Sequence, residues 1–200
     1  MKTRILLLSA AAMLAFAATG ASAQQKGDIT FGLGVGNVNP KSDNGHLSAG
    51  DLTIGDDTQL TLTVEYFLTD QLGLEVLAAT PFKHDIYLNG ANIGNVTQLP
   101  PTVSVNYHFK NKSALTPFIG AGVNYTTALD VDSPLGRLEL AHSWGLAAHA
   151  GFDYAISPRG AIRADVRWMD IDMDTNLNGT RLGTAEVDPV VMGVSYIMTF

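Results

Sequence analysis

Eight stretches of the 200-residue chain alternate apolar side chains with polar or small ones at a period of two. The apolar positions are Ile29, Phe31, Leu33 and Val35, then Leu60, Leu62, Val64 and Tyr66, then Leu72, Leu74, Val76 and Ala78, then Val103, Val105, Tyr107 and Phe109. The remaining four stretches cover 115–125, 144–154, 162–168 and 190–200. Successive side chains of a strand face opposite sides of a sheet, so this period predicts β-strands with one apolar face. Helical periodicity is absent. The uncharged segment 113–129 carries Pro117, Gly120 and Gly122 and makes no membrane helix.

The connections separate a soluble sandwich from a membrane barrel. Links after the second, fourth and sixth stretches are short, at 68–71, 110–113 and 156–159. Links after the first, third, fifth and seventh are long and polar, about 40–57, 82–98, 126–141 and 170–186. Short turns at one end and long loops at the other are the pattern of an outer-membrane barrel. Aromatics sort the same way. Tyr66, Tyr107, Phe109, Phe152, Tyr154 and Phe200 mark one end of the apolar faces, and Tyr125, Trp144 and Trp168 the other. Two such girdles fit the two lipid–water interfaces. The expected fold is all-β, an eight-stranded antiparallel transmembrane β-barrel with short periplasmic turns, long extracellular loops and both termini periplasmic.

Residues 1–23 read as a cleaved secretory signal peptide. Lys2 and Arg4 precede an apolar run over 5–18, and Ala21-Ser22-Ala23 is an A-x-A site. Residues 24–200 then form one barrel domain in the outer membrane, with 10 Lys and Arg against 19 Asp and Glu. That acidic balance argues against nucleic acid, and the absence of Cys excludes disulfides, a lipid-anchoring cysteine and a thiolate metal site. Mean hydropathy near neutral is the average of a lipid face and an interior face.

The final strand ends Val194-Ser195-Tyr196-Ile197-Met198-Thr199-Phe200, and its outward Tyr196, Met198 and Phe200 resemble the recognition signal of the barrel assembly machinery. More widely the chain resembles the outer-membrane protein W (OmpW) family. The resemblance rests on 77–84 (LAATPFKH), Leu99-Pro100-Pro101-Thr102, 117–125 (PFIGAGVNY) and Asp188-Pro189, in that order. It implies an eight-stranded barrel linked to the passage of small hydrophobic compounds, with some members acting as colicin receptors.

Eight strands enclose an interior that side chains can fill, which excludes a porin-like water channel. Inward positions toward the periplasmic end carry Glu65, Glu75, His108, Asp153, Arg163 and Asp165, with Arg167 and His149 near mid-height, and read as a salt-bridged plug. The extracellular half presents small and apolar residues, so Leu77, Ala79, Thr102, Gly122, Gly145, Ala147, Met169 and Val191 are expected to line a hydrophobic pocket open to the outside. Pro81, Pro100 and Pro101 interrupt pairing between the third and fourth strands and predict lateral release into the outer leaflet.

Other motifs are weaker. Gly32-Leu33-Gly34-Val35-Gly36 lies within a strand and lacks the following helix of a dinucleotide loop. The histidines are scattered and predict no metal site, and no cofactor is implied. His142 and Ser143 point to opposite faces and cannot form a catalytic dyad. The expected function is passive conduction of small hydrophobic molecules, with no enzymatic activity. The expected partners are membrane lipids, lipopolysaccharide and the solute. A structural or receptor barrel binding colicin or phage is the alternative, and a lipid-modifying enzyme a third.

Overall fold

The computed structural model describes residues 24–200, so the expected signal peptide lies outside the described residues. Eight antiparallel strands form the wall: β1 (Ile29–Asn39), β2 (Asp57–Phe67), β3 (Leu72–Ala79), β4 (Thr102–His108), β5 (Leu115–Asp132), β6 (Ser143–Ser157), β7 (Gly160–Met169) and β8 (Val190–Thr199). Each pairs with its sequence neighbours, and β1 closes on β8 from Thr30 opposite Thr199 to Asn39 opposite Val190. This closure pairs the edges of the first and last strands, as a membrane-spanning sheet requires.

Side chains alternate as the period of two demands. Leu33, Leu62, Val105, Ile119, Leu146 and Val194 face outward and stay exposed, as a lipid-facing surface does. Thr30, Glu65, Glu75, Asn106, His149 and Arg163 face inward and are buried. Small residues make the narrow interior possible: a Cβ on Gly122 would collide with the Val103 carbonyl oxygen.

The long connections differ from the polar loops expected. They fold into two small sheets above the barrel. Upper β5 pairs with Ala91–Leu99, which pairs with Phe82–Leu88, and the sheet continues through Gly50–Ile54 to His46–Leu47. Leu138–Leu140, Asp172–Leu177 and Thr180–Glu186 form the second sheet. Two of the hairpins turn on Asn89-Gly90 and Asn178-Gly179, whose four residues all have positive φ. That is the geometry of a type I′ turn, whose twist matches antiparallel strands. Inner faces of the two sheets bury Leu47, Leu52, Ile86, Val96, Leu138 and Ala185 in one cluster.

Candidate functional site

The lower lumen is closed by one hydrogen-bonded charge network. Arg163 donates through Nε and Nη2 to Asp153 at 2.7 and 3.0 Å, through Nη1 to Glu75 at 2.8 Å and through Nη2 to Glu65 at 3.2 Å. Its guanidinium lies 4.4 Å from the Phe118 ring centroid. Arg167 donates to the other oxygen of Glu75 at 2.7 Å and to Ser104 Oγ. His108 Nε2 meets Glu65 at 2.8 Å, and the Asn106 amide donates to both glutamates. Because that amide nitrogen is committed, its oxygen accepts from His149 Nε2 at 2.6 Å. Five of the six residues expected to form the plug therefore meet in one cluster, joined by Arg167, His149 and Asn106. Asp165 sits beside it over Gly193 and makes none of these bonds among the described residues. Phe67, Phe118 and Ile197 are fully buried at the same end.

The upper lumen is packed rather than open. Ala147, Met169 and Val191 are buried in one apolar cluster with Val38, Phe82, Ile171, Met173 and Val187, and Leu77 and Ala79 pack against it. Thr102 is buried and donates to the Pro100 carbonyl. Gly122 and Gly145 have backbone carbonyls where a side chain would stand. Of the eight residues expected to line a pocket, five thus belong to or pack against this apolar cluster, while Thr102, Gly122 and Gly145 lie outside it. The reason is that the extracellular hairpins insert Phe82, Ile171, Met173 and Val187 from above into the space those small residues leave.

The open space lies higher. Between the two extracellular sheets is an apolar cavity that is partly open to solvent. Leu47, Leu52, Ile86, Val96, Leu138 and Leu182 are among its lining residues, Ala49 and Leu135 stand at its exposed rim, and Met173 and Val187 belong to the packed cluster beneath. Gln98, Ser133 and Thr175 are the polar residues of the lining, and no charged side chain is among them. None of the eight expected pocket residues lines this cavity.

Beside the cavity the wall is interrupted. The β3–β4 ladder ends at Leu77 opposite Thr102, and pairing resumes at Phe82 opposite Gln98, offset by one residue. Residues 78–81 and 99–101, with Pro81, Pro100 and Pro101 among them, have no cross-strand partner in this hairpin. Prolines lack the donor that would complete the ladder. The carbonyls of Pro100 and Pro101 accept from the buried Asn124 amide at 3.1 and 3.3 Å, that of Pro101 also from the Tyr125 backbone N–H, and Thr126 fixes the Asn124 amide through its oxygen at 2.7 Å.

Polar contacts tie the extracellular sheets together. Asn44, fully buried, donates to the Glu186 carbonyl and accepts from the Ile54 amide. Lys41 bonds Glu186 and Asp188, which hold its ammonium above the ordinary lysine range. Asp188 lies with Asp170 and Asp172, and burial and the neighbouring carboxylates push Asp172 up. His84 is buried on the inner face of its strand, its Nδ1 2.7 Å from the Gly55 carbonyl, and burial holds its imidazole below the usual range.

A family model described as the OmpW family matches residues 25–200. The chain belongs to the OmpW family. Outer membrane protein W of Vibrio cholerae is 37% identical over 178 residues, covering 81% of this chain and 82% of that one. The crystal structure of OprG from Pseudomonas aeruginosa superposes with a TM-score of 0.77 at 31% identity, covering 90% of this chain and 99% of OprG. More distantly, the dibenzothiophene metabolism operon protein PahQ of Pseudomonas aeruginosa is 26% identical over 132 residues, covering 64% of this chain and 63% of PahQ. As an OmpW-family barrel the protein resides in the outer membrane, and Tyr196 and Met198 of β8 and Phe200 just after it are exposed toward its lipids. The cavity residues escaped the sequence reading, although the alternation of Phe82, His84, Ile86 and Leu88 before Asn89-Gly90 signals a half-buried hairpin.

Proposed function

We propose that this barrel takes small hydrophobic molecules into the extracellular cavity and passes them sideways through the β3–β4 interruption into the outer leaflet. One observation carries the reading: an uncharged, apolar cavity lies directly beside an unpaired stretch of wall, above a lumen closed twice. An apolar solute gains by leaving water for the lining, at about 25 cal/mol per Å² of surface buried. It meets the packed cluster and then the charge network below, so the axial path offers no exit. The lateral path ends in hydrocarbon, where no hydration has to be restored. The operon named for PahQ, which concerns dibenzothiophene, fits an apolar solute. On this reading the barrel binds and conducts and carries out no reaction.

Ala78 and Pro101 are both exposed and continue the Leu77–Thr102 register. An Ala78→Cys/Pro101→Cys barrel has no other cysteine to mispair with. Its oxidised form should lose uptake of an apolar dye and regain it on reduction. Uptake that is the same in both redox states removes the lateral route. A receptor role for colicin or phage, carried by the extracellular sheets, predicts that killing persists in the oxidised barrel.

A further inference from the structure

The cavity contains one polar group that its apolar surroundings do not explain. Gln98 is only 2% exposed and lines the cavity, yet its amide makes no hydrogen bond with any described residue. The other polar lining residues are satisfied internally: Ser133 donates to the Ile93 carbonyl at 2.9 Å, and Thr175 to the Met173 carbonyl at 3.3 Å. Its amide oxygen and nitrogen are not fully enclosed, so they stay free to bond what enters the cavity. Gln98 also sits where the cavity meets the wall, as the last paired residue before Leu99-Pro100-Pro101.

A second unpartnered group stands on the same face. His84 faces Val96 and Phe82 faces Gln98 across the hairpin, so His84 and Gln98 are diagonal neighbours. The Nδ1 proton of His84 is given to the Gly55 carbonyl, which leaves Nε2 as an acceptor, and Nε2 is buried without a partner.

We propose that the cavity selects single-chain amphiphiles with a neutral hydroxyl head, and that Gln98 reads this head at the entrance to the lateral exit. The inference rests on the uptake reading above and specifies its solute. A hydroxyl both donates and accepts, which matches an amide that offers both. A carboxylate head has no cation to meet in this lining and would be desolvated uncompensated. An alkane fills the same space but leaves the amide unpaired. The alkyl chain lies against Ile86, Val96 and Leu138, and the head is held beside the unpaired wall.

The full-length barrel in lipid nanodiscs is titrated with decanol, decane and decanoate, each displacing the fluorescent reporter N-phenylnaphthylamine. All three are repeated with Gln98→Leu. We expect Gln98→Leu to weaken decanol by about three- to tenfold, the range of one hydrogen bond, while decane changes less than about twofold. Decane displacement also verifies that the variant retains a folded cavity. Decanoate should compete more weakly than decanol in the wild type. Equal effects of Gln98→Leu on decanol and decane, or decanoate binding as tightly as decanol, would overturn the head-group inference and leave hydrophobic uptake standing. Failure of all three to displace the reporter would overturn both.

Discussion

Replacing Arg163 with Met tests whether the lower lumen is held shut by charge rather than by packing. The side chain is buried, and its guanidinium supplies four hydrogen bonds to Asp153, Glu75 and Glu65 as well as the contact with Phe118. Met fills much of the same volume, so the loss is electrostatic. Glu75 keeps Arg167, and Glu65 keeps His108 and Asn106. Asp153 loses both of its bonds to Arg163 and retains only His108 Nδ1 at 3.9 Å. Removing one partner from a buried ion cluster costs about 3–5 kcal/mol. With a urea slope of about 2 kcal/mol per M, the unfolding midpoint in lipid vesicles should fall by about 2 M. Adding Asp153→Asn to Arg163→Met removes the stranded charge and should recover more than half of that loss. A midpoint within about 0.5 M of wild type for Arg163→Met, a change of about 1 kcal/mol, would refute the argument, as would a double variant no more stable than the single one.

His84 should make the extracellular sheets sensitive to acid. Its folded imidazole titrates below the unfolded value of 6.5, so between the two values only the opened hairpin takes up a proton. Stability is therefore full above about pH 6.5 and falls below it by up to about 1.4 kcal/mol per pH unit. Amide hydrogen exchange across 82–99 should speed up between pH 7.5 and 5.5 beyond its intrinsic pH dependence, and His84→Gln should flatten the change; no pH effect in wild type contradicts it. Gly120→Ala places a methyl group against His149 Nε2 and the Asn106 oxygen. It should break their bond and cost about 1–3 kcal/mol by overpacking, read from the urea midpoint; an unchanged midpoint would show that the lumen yields freely.

The barrel was legible because lipid on one side and a narrow interior on the other impose a strict period of two on every strand. Glu65, Glu75, Arg163 and Arg167 announced the charge network by falling on inward positions, since ions survive there only as partners. The cavity was hidden for a physical reason. Leu77, Ala147 and Gly122 do leave room, but what fills it comes from residues distant in sequence, Ile171, Met173 and Val187. No spacing along one strand reveals that insertion. The hairpins themselves carried a signal, since Asn89-Gly90 and Asn178-Gly179 each sit between alternating segments. Polarity in those segments hid it, because Lys83, Asp85 and Asp174 face water while their neighbours build an apolar interior.

The claim that solutes enter by the extracellular cavity is tested most directly at its rim. Ala49 is exposed and lines the opening, so Ala49→Trp narrows the mouth without disturbing the barrel or its lumen. The measurement is the initial rate of uptake of an apolar dye into vesicles carrying equal amounts of folded protein. A rate near that of protein-free vesicles for Ala49→Trp, with wild type well above it, is the predicted result. Equal rates for Ala49→Trp and wild type would contradict the account.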